Sequence, residues 1–86
     1  MGGVILKVGP TDEQKGEVGK KAEDAVREQA PDQAEALAPV AKAVAEDQLE
    51  ARSLLTLTEP TEGEIEKIAE ASASRVVEAA SSTSDS

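Results

Sequence analysis

Residues 61–80 read TEGEIEKIAEASASRVVEAA, and this stretch carries the clearest helix signal in the chain. Thr61 and Glu64 have the spacing of a capping box, in which each side chain bonds to the other residue's backbone amide. Beyond this box, apolar and small residues recur every three or four positions, as on one face of a helix. The pattern predicts a helix over about 62–80. Its recurring residues are Ile65, Ile68, Ala69, Ser72, Ala73, Val76, Val77 and Ala80.

A first helix is predicted over about 12–29, upstream of this stretch. Thr11 and Gln14 have the spacing of a second capping box, and two acidic residues follow Thr11, where they suit a helix N-terminus. Gly16 and Gly19 each weaken a helix by up to about 1 kcal/mol. We therefore expect an irregular start, with firm helix only from about residue 19 or 20.

A second helix is predicted over about 32–53, after the break at Pro31. Asp32 is placed to cap it, and its apolar residues follow helical spacing. Pro39 lies well inside, so we expect it to kink the first turns or to move the true start to about Ala38. The residues expected in the interior are Leu37, Val44 and Leu55.

Two short segments have the character of strands. Residues 4–8 read VILKV, a β-branched run that a Gly-Pro pair closes, and they predict a short N-terminal strand. Residues 54–58 fit either the end of the second helix or a short strand, and their Thr and Leu alternation favours a strand paired with 4–8. The predicted fold is mainly α, with α+β as the alternative. We expect one small helical domain over 1–80 and a disordered Ser-rich tail over 81–86.

The composition removes most catalytic chemistry. The 86 residues include no aromatic residue, histidine, cysteine or asparagine. General acid–base catalysis near neutral pH usually uses histidine, and serine nucleophiles need a base to activate them. No glycine-rich phosphate loop or calcium-binding loop is present. We therefore expect no enzyme activity, no cofactor and no metal site.

The same composition leaves little apolar volume for a core. Only 17 residues are Val, Leu or Ile, and a chain of this size buries only about 60–65% of its unfolded surface. A protein partner or homo-oligomer would supply the missing burial. We expect the apolar face of the third helix to make this contact, through Ile65, Ile68, Ala69, Ser72, Ala73, Val76 and Val77.

The net charge of −9 is concentrated toward the C-terminus. The polar side of the third helix is expected to form an acidic ridge of Glu62, Glu66, Glu70 and Glu78. A net negative field disfavours nucleic-acid binding. It also suggests an alternative function, in which the acidic half acts as a binding inhibitor or a mimic of nucleic acid.

Gly16-Glu17-Val18-Gly19, followed by two lysines, resembles the Gly-x-x-Gly loop of KH domains, which clamps a nucleic-acid backbone. The resemblance covers four residues, and the helix expected between strand and loop does not fit into residues 9–15. It implies a third alternative, a nucleic-acid binder around residues 16–21.

In general character the chain is similar to minor structural and adaptor proteins of tailed phages from GC-rich hosts, although no family motif supports this. It is equally similar to a designed or selected protein of reduced alphabet with no natural function. We expect no signal peptide and no membrane span, and thus a cytoplasmic protein or part of a soluble assembly. The favoured function is that of a non-enzymatic structural or interaction protein.

Overall fold

The computed structural model describes residues 10–56 and 58–83, and nearly all of them are helical. The helices are α1 (Asp12–Gln29), α2 (Ala34–Leu55) and α3 (Glu62–Thr83). The mainly helical class is therefore confirmed, with the predicted bounds of α1 matching those observed. No strand occurs among the described residues.

The strand predicted over 54–58 is wrong for its first two residues. Leu54 and Leu55 form the last turn of α2, and Thr56 ends the helix in an extended conformation. The amide and the hydroxyl of Thr56 both donate to the carbonyl of Arg52, which satisfies an otherwise open helix end. Leucine is also a strong helix former. The strand predicted over 4–8 lies outside the described residues.

Both threonine capping boxes are present. The amide of Gln14 donates to Thr11 Oγ1 at 3.1 Å, and the amide of Thr11 donates to Gln14 Oε1 at 3.0 Å. Likewise, the amide of Glu64 donates to Thr61 Oγ1 at 3.2 Å, and the amide of Thr61 donates to Glu64 Oε1 at 3.0 Å. The irregular start expected for α1 is wrong, because α1 is regular from Asp12 through both of its glycines.

The start of α2 differs from the prediction. Residues Pro31–Gln33 form a 3₁₀ helix, and α2 follows it from Ala34 with no side-chain cap. Asp32 does not cap α2 because it lies within the 3₁₀ turn. Pro39 faces solvent, and α2 is helical on both sides of it. The alternative start of α2 at about residue 38 is therefore wrong, because the helix begins at Ala34.

The C-terminal end of α3 lies beyond the predicted one. The helix continues to Thr83, three residues past the predicted end at residue 80. The first part of the segment expected as a tail is thus helical, and residues 84–86 lie outside the described part of the chain.

The three helices pack against one another as an up–down–up bundle. Lys21 of α1 lies beside Glu66 of α3, and Gln29 of α1 lies beside Ser74 of α3. Both pairs differ by 45 in residue number, so α1 and α3 run parallel. A short connection joins α2 to each of them, and α2 runs antiparallel to both.

Alanine dominates the core of this bundle. Helix α1 contributes Val18, Ala22 and Val26, and α3 contributes mainly Ile65, Ala69, Ala73 and Val76. On α2 the fully buried positions are small apart from one leucine. Alanine-lined faces allow helices to lie close together. The buried residues of α2 are Ala34, Ala38, Ala41, Ala45, Leu49 and Ser53.

Candidate functional site

The face of α3 that we expected to bind a partner belongs to the chain's own core. Five of its seven residues are buried between α3 and the other two helices, namely Ile65, Ala69, Ser72, Ala73 and Val76. Ile68 and Val77 are half-buried at the margin of the same core. In this fold the face is thus occupied by α1 and α2. Helical periodicity identified it as a packing face, but periodicity does not distinguish an internal contact from an external one.

The four glutamates of the acidic ridge lie on the exposed side of α3. Glu62, Glu66, Glu70 and Glu78 all face solvent. Glu66 lies 3.8 Å from the ammonium of Lys21, and the other three make no ion pair with a described residue. Exposed pairs of this kind contribute little to stability. The ridge is therefore a solvated, charged surface, and Glu66 and Glu70 line an open groove between α3 and α1 that Lys21, Asp24 and Glu28 complete.

The structure reveals a second apolar surface, on the side of α2 that points away from the core. Val40 is 48% exposed, Leu54 is 83% exposed and Leu55 is 85% exposed. The expectation that Leu55 is interior is therefore wrong, and Leu37 and Val44 are only half-buried. Exposed alanines continue the same surface. We call it the α2 outer face, and it comprises Ala36, Leu37, Val40, Ala43, Val44, Ala51, Leu54 and Leu55.

The outer face results from the way α2 packs on α1. Gly19 of α1 is buried against α2, and a Cβ added to it would lie 2.7 Å from Cγ of Lys42 and 3.3 Å from Oε2 of Glu46. The absent side chain lets the two backbones approach closely. A face of alanines fits this short spacing, whereas a face of leucines and valines would hold the helices apart. Leu49 is the one large aliphatic side chain of α2 that is fully buried, and Val40, Leu54 and Leu55 remain outside.

One part of the outer face is a groove between α2 and α3. Leu37, Val40 and Val44 line it from α2, and Arg75 and Val76 line it from α3, together with Ala79 and Ala80. The lining is mostly apolar, with the guanidinium of Arg75 as its charged group. The sequence holds a signal for this surface, because apolar residues occur on more than one side of α2, a pattern typical of a helix covered on several sides.

Ser72 of α3 carries a buried hydroxyl close to the contact between α2 and α3. Ser72 is 1% exposed, and its Oγ has no hydrogen-bond partner among the described residues. Ser53, the other buried serine, donates to the carbonyl of Leu49 at 3.2 Å. Ser72 lies below the surface and is not open to a ligand.

Ion pairs hold the end of the bundle where α1 begins. Lys15 Nζ lies 2.6 Å from Oε2 of Glu50, and this hydrogen bond raises the pKa of Lys15. The pKa of Glu64 is lowered, chiefly by the hydrogen bond from the amide of Thr61 and next by the bonds from Arg52. These groups connect α1 to α2 and α2 to α3, and they have structural roles.

The KH-like interpretation of residues 16–21 is wrong. Gly16 and Gly19 lie within the regular helix α1, so they form no loop. Gly19 is buried against α2 and is not available to a nucleic-acid backbone. The lysines that follow are on a helix surface, and Lys21 lies near the carboxylates of Glu17 and Glu66.

Within residues 10–56 and 58–83, no three carboxylates are grouped so that they could hold a metal ion. None of the described helices has the length and apolar character needed to cross a membrane. No protein-family model, curated protein or solved structure matches the chain.

Proposed function

We propose that this chain is a non-enzymatic interaction protein, a small acidic helical module that binds other proteins or copies of itself. Such a role suits a small component or adaptor of a larger assembly. The observation that supports it is the α2 outer face. Val40, Leu54 and Leu55 of α2 lie outside the bundle, while the inner side of α2 is formed by alanines, Leu49 and Ser53.

The energetic argument concerns Val40, Leu54 and Leu55. Fully burying an aliphatic side chain of this size contributes about 1.5–3 kcal/mol. The chain has only 17 Val, Leu and Ile residues, and among those that the structure describes Leu54 and Leu55 lie largely in water and Val40 is about half exposed. Burial of these side chains against a partner would supply stability that the small core lacks. A contiguous apolar surface on a small protein is also typical of a binding site.

The outer face carries little charge compared with the rest of the molecule. Asp47 is the acidic residue that interrupts it, whereas the four exposed glutamates of the acidic ridge lie on α3. A partner that approaches α2 therefore meets less of the charge of −9 than one that approaches α3. Interface centres are likewise depleted in charged residues.

The test compares complexes formed in the source cells. An affinity-tagged chain is purified gently, and the mass of the complex is measured by native mass spectrometry. We expect a mass well above that of the 8.9 kDa chain. The triple variant V40Q/L54Q/L55Q should lose the complex but keep its helical circular dichroism, because these side chains lie outside the core.

The matched control changes three exposed carboxylates away from α2, in the variant E13Q/E28Q/E78Q. It alters as many side chains as the first variant and should keep the complex. A wild-type chain recovered only as a monomer would overturn the proposal. So would a complex that V40Q/L54Q/L55Q leaves intact.

A further inference from the structure

The α2 outer face has a symmetric arrangement along the helix. Six of its eight apolar positions form three pairs about the midpoint between residues 45 and 46. Leu37 corresponds to Leu54 in this way, Val40 to Ala51, and Ala36 to Leu55. Two copies of the face laid antiparallel would therefore place Leu37, Val40, Leu54 and Leu55 of one copy opposite apolar side chains of the other, whereas Val44 would lie opposite Asp47. A self-complementary patch of this kind is what a two-fold dimer requires.

The same symmetry would bring two charged groups of this surface together. Asp47 corresponds to Val44 about the midpoint, and Val44 shares its groove with Arg75. Both Asp47 and Arg75 are exposed, and neither makes an ion pair with a described residue. In an antiparallel pair, Asp47 of one copy would approach the groove of the other copy near its Arg75. The two-fold axis would create this contact twice.

We infer that the α2 outer face binds a second copy of this chain, with the two α2 helices antiparallel and Asp47 of each copy paired with Arg75 of the other. This inference rests on the proposed function and specifies its partner. A parallel arrangement would place Asp47 opposite Asp47 in an apolar seam, where like charges repel. Two copies also meet least repulsion here, because most of the acidic residues lie on other surfaces.

The experiment is a charge exchange followed by sedimentation equilibrium. The wild type, D47R, R75D and D47R/R75D are compared from about 1 µM to about 1 mM, a range that covers weak and moderate dimers. We expect the wild type to dimerise and each single variant to raise the dimer Kd by about tenfold or more. The double variant restores the opposite charges and should return to within about threefold of the wild type.

Circular dichroism of each variant provides the folding control, since both residues are exposed and outside the core. A wild-type chain that remains monomeric at the highest concentration would overturn the inference. The proposed function has its own test, because the complex isolated from the source cells can contain a different protein partner. Single variants that dimerise like the wild type would also overturn it, as would a double variant no better than the singles.

Discussion

Arg52 donates two hydrogen bonds to the carboxylate of Glu64, from Nε at 2.9 Å and from Nη2 at 2.8 Å. The same carboxylate accepts the amide of Thr61 and so closes the capping box of α3. A third guanidinium nitrogen, Nη1, donates to the carbonyl of Thr58 at 2.8 Å. One arginine at the end of α2 therefore fixes the connection to α3 and the first turn of α3. Paired, planar bonds of this kind are the stronger and more specific ion pairs.

This arrangement predicts a pH-dependent effect of Glu64→Gln. Glutamine keeps the capping bond but loses the charge that pairs with Arg52. The pKa of Glu64 in the folded chain is lowered, whereas an unfolded glutamate has a pKa of about 4.3. Its ionised form therefore stabilises the fold above about pH 4.3, and this contribution is lost as pH falls through the lower, folded pKa.

Urea unfolding measured at pH 7 and at pH 3 tests this prediction. E64Q should be less stable than the wild type at pH 7, and the difference should shrink at pH 3. Glu59→Gln is the control, because Glu59 is exposed and makes no hydrogen bond or ion pair with a described residue. An equal difference between E64Q and wild type at both pH values would contradict the role of the charge.

The two glycines of α1 should respond differently to alanine. A Cβ on Gly16 meets no atom within 4 Å, so Gly16→Ala should raise the free energy of unfolding by about 0.5–1 kcal/mol. A Cβ on Gly19 would lie 2.7 Å from Cγ of Lys42, so the side chain or the helix must move. Gly19→Ala should gain nothing or destabilise. Chemical denaturation followed by circular dichroism measures both, and equal stabilisation by the two changes would argue against close packing of α1 on α2.

Ser72→Ala should stabilise the protein. An unpaired buried hydroxyl costs about 1–3 kcal/mol, and alanine removes it with little change in volume. Ser53→Ala is the matched change, because Ser53 is buried but bonded to the carbonyl of Leu49. We expect a gain of about 1 kcal/mol for Ser72→Ala and no gain for Ser53→Ala. Thermal unfolding should show a higher Tm for the first variant alone, and the reverse order would refute this explanation.

Alanine 45 tests the close packing of the core. Ala45 is fully buried between the helices, and leucine there should cost about 1–3 kcal/mol through overpacking. Ala43 is exposed two positions earlier, and leucine there should change stability by less than about 0.5 kcal/mol. Both are measured by denaturant unfolding at a low protein concentration, where association does not contribute. A tolerated leucine at position 45 would mean that the core has room for larger side chains.

Much of the secondary structure could be predicted because its signals are local. The threonine capping boxes involve residues three positions apart, and both were identified from their spacing. The end of α2 was harder to predict. The pattern at Leu54 and Leu55 fits a helix or a strand about equally well. In the structure these residues are helical, and the amide of Thr56 donates to the carbonyl of Arg52 at the helix end.

The sequence determines where α1 and α3 start, through their capping boxes. It also shows that histidine and cysteine are absent and that the apolar content is small. Which face of α2 turns inward is a property of the tertiary structure. The leucine and valine stripe and the alanine stripe have the same periodicity, so a single helix offers no preference between them. The close contact of α1 with α2 at Gly19 favours small side chains on the inner face of α2. Val40, Leu54 and Leu55 stay exposed on the opposite side. That same packing buries the α3 stripe and leaves the exposed apolar side chains on α2, on which the proposed function rests.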